Sequence, residues 1–165
     1  MPAGASLVPH QVGEGPSDRH RGPCSGACCC PSVPAMATWD DVARTCLALP
    51  GTGEGVSRGW RQWKVGDKSF MWERPLGRKD VAELGDAAPT GPVVAAHVPD
   101  EGAKAALIAE EPELYFTTSH FDGYAAVLCR LDRLGRQDLT ELAAEAWACR
   151  APRTLLAQQP LPPAG

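Results

Sequence analysis

No apolar run in this 165-residue chain approaches the about 18 residues that a membrane-spanning helix requires. A basic n-region followed by an apolar stretch is also missing near Met1, so the expectation is a chain without a secretory signal. No glycine loop of the Walker or Rossmann kind occurs, which removes the commonest phosphate cradles. Seven cysteines are present, yet none form the paired Cys-x-x-Cys knuckles of a zinc site. Ser119 adjoins His120, but adjacent strand residues point to opposite faces and no third, orienting group is identifiable. These absences make the expected protein non-enzymatic, with no cofactor.

What is present suits one compact domain. Hydrophobic residues make up 44% of the chain, enough at this length for a sizeable core, and the formal charge of −4 argues against a surface that is basic all over. Nucleic acid would need a local basic patch. Residues 1–35 hold 11 glycines and prolines, no apolar periodicity, and the cluster Cys24-Ser25-Gly26-Ala27-Cys28-Cys29-Cys30. Such a segment buries too little surface to offset its ordering entropy, so disorder is expected there, with Met36 as the true start and residues 159–165 as a flexible tail. Cys46, Cys129 and Cys149 sit in apolar patterns and are odd in number, which fits reduced thiols in a cytoplasm.

From Met36 onward the punctuation is legible. Thr38 followed by Asp41 makes a capping-box pattern, and Val42, Cys46 and Leu49 recur at helical spacing, so a helix is expected over 39–49 until Pro50-Gly51 stops it. Strands are expected over 60–65 and 68–74, joined by the two-residue loop Gly66-Asp67. Residues 75–92 read as a long loop, with at most a helical turn over 81–84. A strand at 93–98 leads into Pro99-Asp100, which opens a helix through Glu110 that Pro112 ends. Strands at 114–117 and 125–131 follow. A last main helix, capped by Asp138 and Glu141, runs to Cys149, and Pro152 starts a final turn. This order predicts an α+β fold, an antiparallel sheet with helices on one face.

The hairpin holds the candidate site. A two-residue loop at Gly66-Asp67 sets Val65 opposite Lys68, Trp63 opposite Phe70 and Arg61 opposite Trp72. Trp63, Val65, Phe70 and Trp72 then face the core, while Trp60, Gln62, Lys64, Ser69, Met71 and Glu73 face outward. Between Arg58 and Lys79 seven basic residues stand against two acids, a local +5 that leaves −9 for the rest of the chain. Phosphate contacts supply most nonspecific nucleic-acid affinity, and aromatic platforms stack bases. Basic strands also serve simply to keep a sheet edge soluble, so the pattern alone leaves both roles open.

Ser119-His120-Phe121-Asp122-Gly123-Tyr124 resembles the His-Phe-Asp-Gly-Tyr segment of the MmcQ/YjbR family. The resemblance extends to Trp39-Asp40-Asp41-Val42, Leu49-Pro50-Gly51, the run from Trp63 to Phe70, and Arg150-Ala151-Pro152-Arg153, covering residues 36–158. Relatives often carry proline at the place of Ala125 and lysine at that of Arg153. The resemblance implies a frataxin-like, CyaY-like two-layer sandwich and a DNA-binding label. The expected contacts are Arg58, Arg61, Lys64 and Lys68 on phosphates, Trp60 stacking, and Arg130 extending the positive track from a neighbouring strand. A protein partner on the same sheet face is the first alternative. The second is a small-molecule or metal site around His97, His120 and Asp122.

Several neighbouring groups have plainer roles. Phe121 and Tyr124 are expected at the edge of the core, Asp122-Gly123 in a turn, and Cys129 as a small buried hydrophobe. The acids Asp40, Asp41, Glu110, Glu111 and Glu113 are too few to make an iron-binding surface and suit capping and solvation.

Overall fold

A computed structural model describes residues 36–157, so the expectations for residues 1–35 and 159–165 lie outside the described residues. Helix α1 (Trp39–Leu47) begins where the sequence places it. Thr38 Oγ1 accepts from the Asp41 N–H at 3.3 Å while Asp41 Oδ2 accepts from the Thr38 N–H at 3.0 Å, the reciprocal bonds of a capping box. Val42 and Cys46, one turn apart, are fully buried beneath it.

Six strands form one antiparallel sheet in the order β1-β2-β3-β4-β6-β5. They are β1 (Thr52–Ser57), β2 (Trp60–Val65), β3 (Lys68–Glu73), β4 (Val93–His97), β5 (Tyr115–Phe116) and β6 (Ala126–Arg130). Helices α3 (Glu101–Glu110) and α4 (Arg136–Arg150) join α1 on one side, where Trp63, Val65, Val94, Ala96, Val127 and Cys129 meet Leu107, Leu139 and Trp147 in the larger apolar cluster. The architecture is the α+β sheet-and-helix arrangement that the sequence predicts.

Three differences matter. Strand β1 is not announced by its residues, because Gly53 and Gly55 weaken any strand pattern. It forms by pairing with β2 through the tight turn Arg58-Gly59, whose φ values of +54° and +87° are those a type I′ hairpin demands. The expected loop at 75–92 contains a true helix, α2 (Arg78–Leu84), started by Asp80 accepting from the Gly77 N–H at 2.9 Å. Leu84 of α2 and Leu76 pack with Phe121 on the sheet face opposite α4, so that face is partly covered rather than bare. A short helix α5 (Arg153–Leu156) follows Pro152 as expected.

The third difference is the hairpin register. Val65 pairs with Lys68 and Lys64 with Ser69, but Trp63 then pairs with Met71, leaving Phe70 as an extra residue in a β-bulge. The bulge lets Phe70 and Met71 both enter the core, each fully buried. The expected pairs Trp63–Phe70 and Arg61–Trp72 are thereby corrected: Trp72 pairs with Gln62 and turns to the open face, the place expected for Met71. A one-residue slip exchanges the faces expected for Met71 and Trp72, while Glu73, at the end of the strand, still borders the open face.

Candidate functional site

The open face between β2, β3 and the His120–Tyr124 turn forms a groove of about 940 Å³. Its rim carries Trp60 and Tyr124, 45% and 46% exposed, and its floor is built from Trp72 and His97. The Trp72 and His97 rings stand 5.2 Å apart and the His97 and Tyr124 rings 5.4 Å, measured between centroids. Three rings thus follow one another along the wall.

Local structure explains each placement. Trp60 and Gln62 alternate outward on β2, opposite the buried Trp63 and Val65. His97 ends β4 on the same face, its Nδ1 3.1 Å from the Ala125 carbonyl oxygen. Burial, and secondly the nearby Arg150 charge, hold the His97 pKa below its ordinary value against the opposing effect of that carbonyl. Tyr124 follows Gly123, whose φ of +71° lets the turn reverse and directs the tyrosine outward instead of into the core edge where it is expected. Phe121, three positions earlier, is buried as expected. From α3 the buried Lys104 donates to the Phe121 and Tyr124 carbonyl oxygens at 2.8 and 3.0 Å, pinning the turn from beneath.

Cations border the groove unevenly. Arg58 is exposed at the β1–β2 turn and has no ion-pair partner among the described residues. Arg150 reaches over from the end of α4, its Nε donating to the Ser69 carbonyl oxygen at 3.3 Å. Arg74 is committed elsewhere, bound to Asp80 at 3.1 Å and to the Pro75 carbonyl oxygen at 2.6 Å. Glu73 accepts from the Arg61 backbone N–H at 3.3 Å, and Asp122 stands on the opposite wall.

The expected contact residues divide. Arg58, Trp60 and Lys64 lie on or beside the open face, and Lys68 is exposed at the hairpin tip. Arg61 borders the groove, but its guanidinium turns to the other side of β2, with Nε 2.7 Å from Glu54 and the charge 5.4 Å from the Trp63 ring centroid. Arg130 corrects the expectation most clearly: it is buried, lies over the Phe116 ring at 4.7 Å, and donates to the carbonyl oxygens of Pro112, Glu113 and Ala87. Its charge serves the loops around β5 and does not extend a track from the hairpin. Sequence reasoning missed Trp72, hidden by the bulge, and Arg150, which reaches the groove only through the packing of α4.

Other chemistry finds little geometry. Among the described residues no group of three or more His, Cys, Asp or Glu converges as a metal site. His97 and His120 line the same groove, one buried and the other exposed. Burial pushes the Cys46 thiol up to about 12 and raises that of Cys129 further, so both behave as apolar core. No helix among the described residues is long and apolar enough to cross a membrane.

An antiparallel six-stranded sheet backed by helices, with an aromatic and cationic groove on its other face, defines an α+β domain of one sheet. The YjbR family model matches residues 47–149, and the chain belongs to the YjbR family. It is 51% identical over 124 residues to the uncharacterized protein Rv2570 of Mycobacterium tuberculosis (strain ATCC 25618 / H37Rv), covering 73% of this chain and 94% of that one. The same identity and coverage relate it to the uncharacterized protein Mb2600 of Mycobacterium bovis (strain ATCC BAA-935 / AF2122/97). The crystal structure of Deinococcus radiodurans protein DR2400, with family-model domain DUF419, is similar in fold at a TM-score of 0.51 and 19% identity, over 68% of this chain and 77% of that one. The family expected from the His-Phe-Asp-Gly-Tyr segment is thus the one found.

Proposed function

We propose that this YjbR domain is a non-enzymatic, cytoplasmic nucleic-acid-binding protein that takes its ligand in the groove of the open sheet face. The observation that carries this reading is the convergence of two exposed aromatic rings, Trp60 and Tyr124, with Arg58 and Arg150 on one concave surface. Aromatic faces stack bases at about 1 to 3 kcal/mol each, and cations beside them neutralise phosphates with release of counterions. Within the basic stretch, Arg61 and Arg74 are paired to Glu54 and Asp80. Arg58, Lys64, Lys68, Arg78 and Lys79 have no ion pair among the described residues and keep their charge for a ligand. The buried, raised thiols of Cys46 and Cys129 favour binding over thiol chemistry and suit a reducing compartment.

The test is a titration of the full chain with fluorescein-labelled DNA at about 50 and about 200 mM salt. Affinity falls steeply between the two conditions. Replacing Arg58, Lys64 and Lys68 together by alanine weakens binding and flattens the dependence of log K on log salt by nearly one unit per lost duplex contact. No binding at the lower salt overturns the proposal and leaves the protein-adaptor role, for which a salt-insensitive complex with another protein is the signature.

A further inference from the structure

The groove does not end at Tyr124. A second concavity of about 550 Å³ lies beyond it, between the Val98-Pro99 bend and the last turn of α4, and the two share His97, Tyr124 and Arg150 as a common wall. We infer that the ligand is single-stranded nucleic acid, lying along both concavities and passing Tyr124 and Arg150 between them. This deepens the nucleic-acid reading above and rests on it.

The geometry favours a single strand on three counts. Exposed ring faces gain stacking energy only from bases whose own faces are free, and a duplex keeps its bases stacked on one another. Proteins that read duplex DNA insert a projecting helix or ribbon into a groove about 12 Å wide, whereas here the rings line a hollow. The series Trp72, His97 and Tyr124, with centroids 5.2 and 5.4 Å apart, also continues toward the second concavity rather than closing the first.

Charge sets the path of the backbone. Glu73 and Asp122 stand on the walls of the first concavity and Glu145 on that of the second, so phosphates are confined to the sides held by Arg58 and Arg150. Arg150 sits where the hollows meet, its side chain making one hydrogen bond, to Ser69, among the described residues. A strand seated there sets bases against the rings and one phosphate on the Arg150 guanidinium.

The experiment compares the full chain's affinity for fluorescein-labelled oligo(dT) of about 15 nucleotides with that for a duplex of equal length, at one low salt concentration. Oligo(dT) is expected to bind at least about tenfold more tightly. Tyr124→Ala lowers its affinity at least about fivefold without altering the salt slope, and Tyr124→Phe restores it because the ring is kept. Arg150→Gln flattens the single-strand salt slope by about 0.7. Photocrosslinking with 4-thiothymidine in the same oligonucleotide labels peptides from both concavities, including the one that holds Glu145 and Ala148. Equal or tighter duplex binding overturns the single-strand assignment while leaving nucleic-acid binding intact. Crosslinks confined to the first groove, with Arg150→Gln unchanged, overturn the path. No binding of either oligonucleotide overturns both readings.

Discussion

The Lys104 ammonium lies 2.8 Å from the Phe121 carbonyl oxygen, so α3 reaches 17 positions along the chain to hold the turn that presents Tyr124. Its second bond, to the Tyr124 carbonyl oxygen at 3.0 Å, and its pairing with Glu101 at 2.9 Å satisfy all three protons of a cation that is 5% exposed. Buried lysine is rare unless so satisfied.

Lys104→Met keeps the length of the side chain and removes its donors, leaving the Phe121 and Tyr124 carbonyl oxygens with one bond each, from the Tyr124 N–H at 3.1 Å and the Ala126 N–H at 2.8 Å. The expected cost is about 1 to 3 kcal/mol, read as a lower urea midpoint at neutral pH. Amide exchange over residues 118–126 should quicken more than in β4. An unchanged midpoint would show that the turn holds itself.

The hairpin bulge sets a second expectation. Met71→Ala should cost about 2 to 5 kcal/mol and Trp63→Ala about 3 to 5, since both side chains are fully buried. Trp60→Ala should stay within about 0.5 kcal/mol, because its ring lies at the surface. Chemical denaturation of the three variants decides between this register and one without a bulge, in which Met71 would be tolerant.

Arg58 is the one residue other than glycine with positive φ among the described residues, at +54°. A left-handed backbone costs a residue with a Cβ roughly 1 to 2 kcal/mol relative to glycine. Arg58→Gly should therefore raise the melting temperature or leave it unchanged while weakening oligonucleotide binding. A variant that is less stable, or one that binds as tightly as before, would separate this strain from any role in binding.

His97 makes stability depend on pH. An unfolded chain takes up the imidazole proton near pH 6.5, about the ordinary value, whereas burial and Arg150 delay uptake in the folded state to lower pH. Once pH falls through that ordinary value the unfolded state binds the extra proton, so stability falls as pH drops below about 6.5, until the folded imidazole is protonated as well. His97→Gln should flatten that slope in urea midpoints measured over that range. An equal slope would assign the dependence to other groups.

Sequence and structure agree at most places where a signal is made by near neighbours. The exception is α4, which starts at Arg136 after Gly135 with no side-chain cap, so Asp138 lies in its first turn and is not the cap expected with Glu141. Thr38 caps α1 through Asp41, three positions on, and Asp100 caps α3 by accepting from the Ala103 N–H at 2.8 Å. Gly66 takes the positive φ, +59°, that its two-residue loop requires. Agreement fails where a competing interaction comes from elsewhere. Gly53 and Gly55 make a poor strand, yet β2 pairs along all of β1. Residues 78–84 are too polar and too few to announce a helix, but Asp80 binds both the Gly77 N–H and Arg74 and starts one. Arg130 looks like an available cation in the sequence, and the carbonyl groups that claim it come from 17, 18 and 43 positions away.

Family membership, the α+β class and most element boundaries are therefore written in the linear chain, because caps, turns and apolar periods act over a few residues and survive whatever surrounds them. The candidate site is not. Trp72 joins it because an extra residue was admitted to β3 to fill the core, and Arg150 because α4 ends beside Ser69, 81 positions away in sequence. Packing chooses such contacts by the shape and volume of the whole interior, a quantity that no short stretch of residues carries.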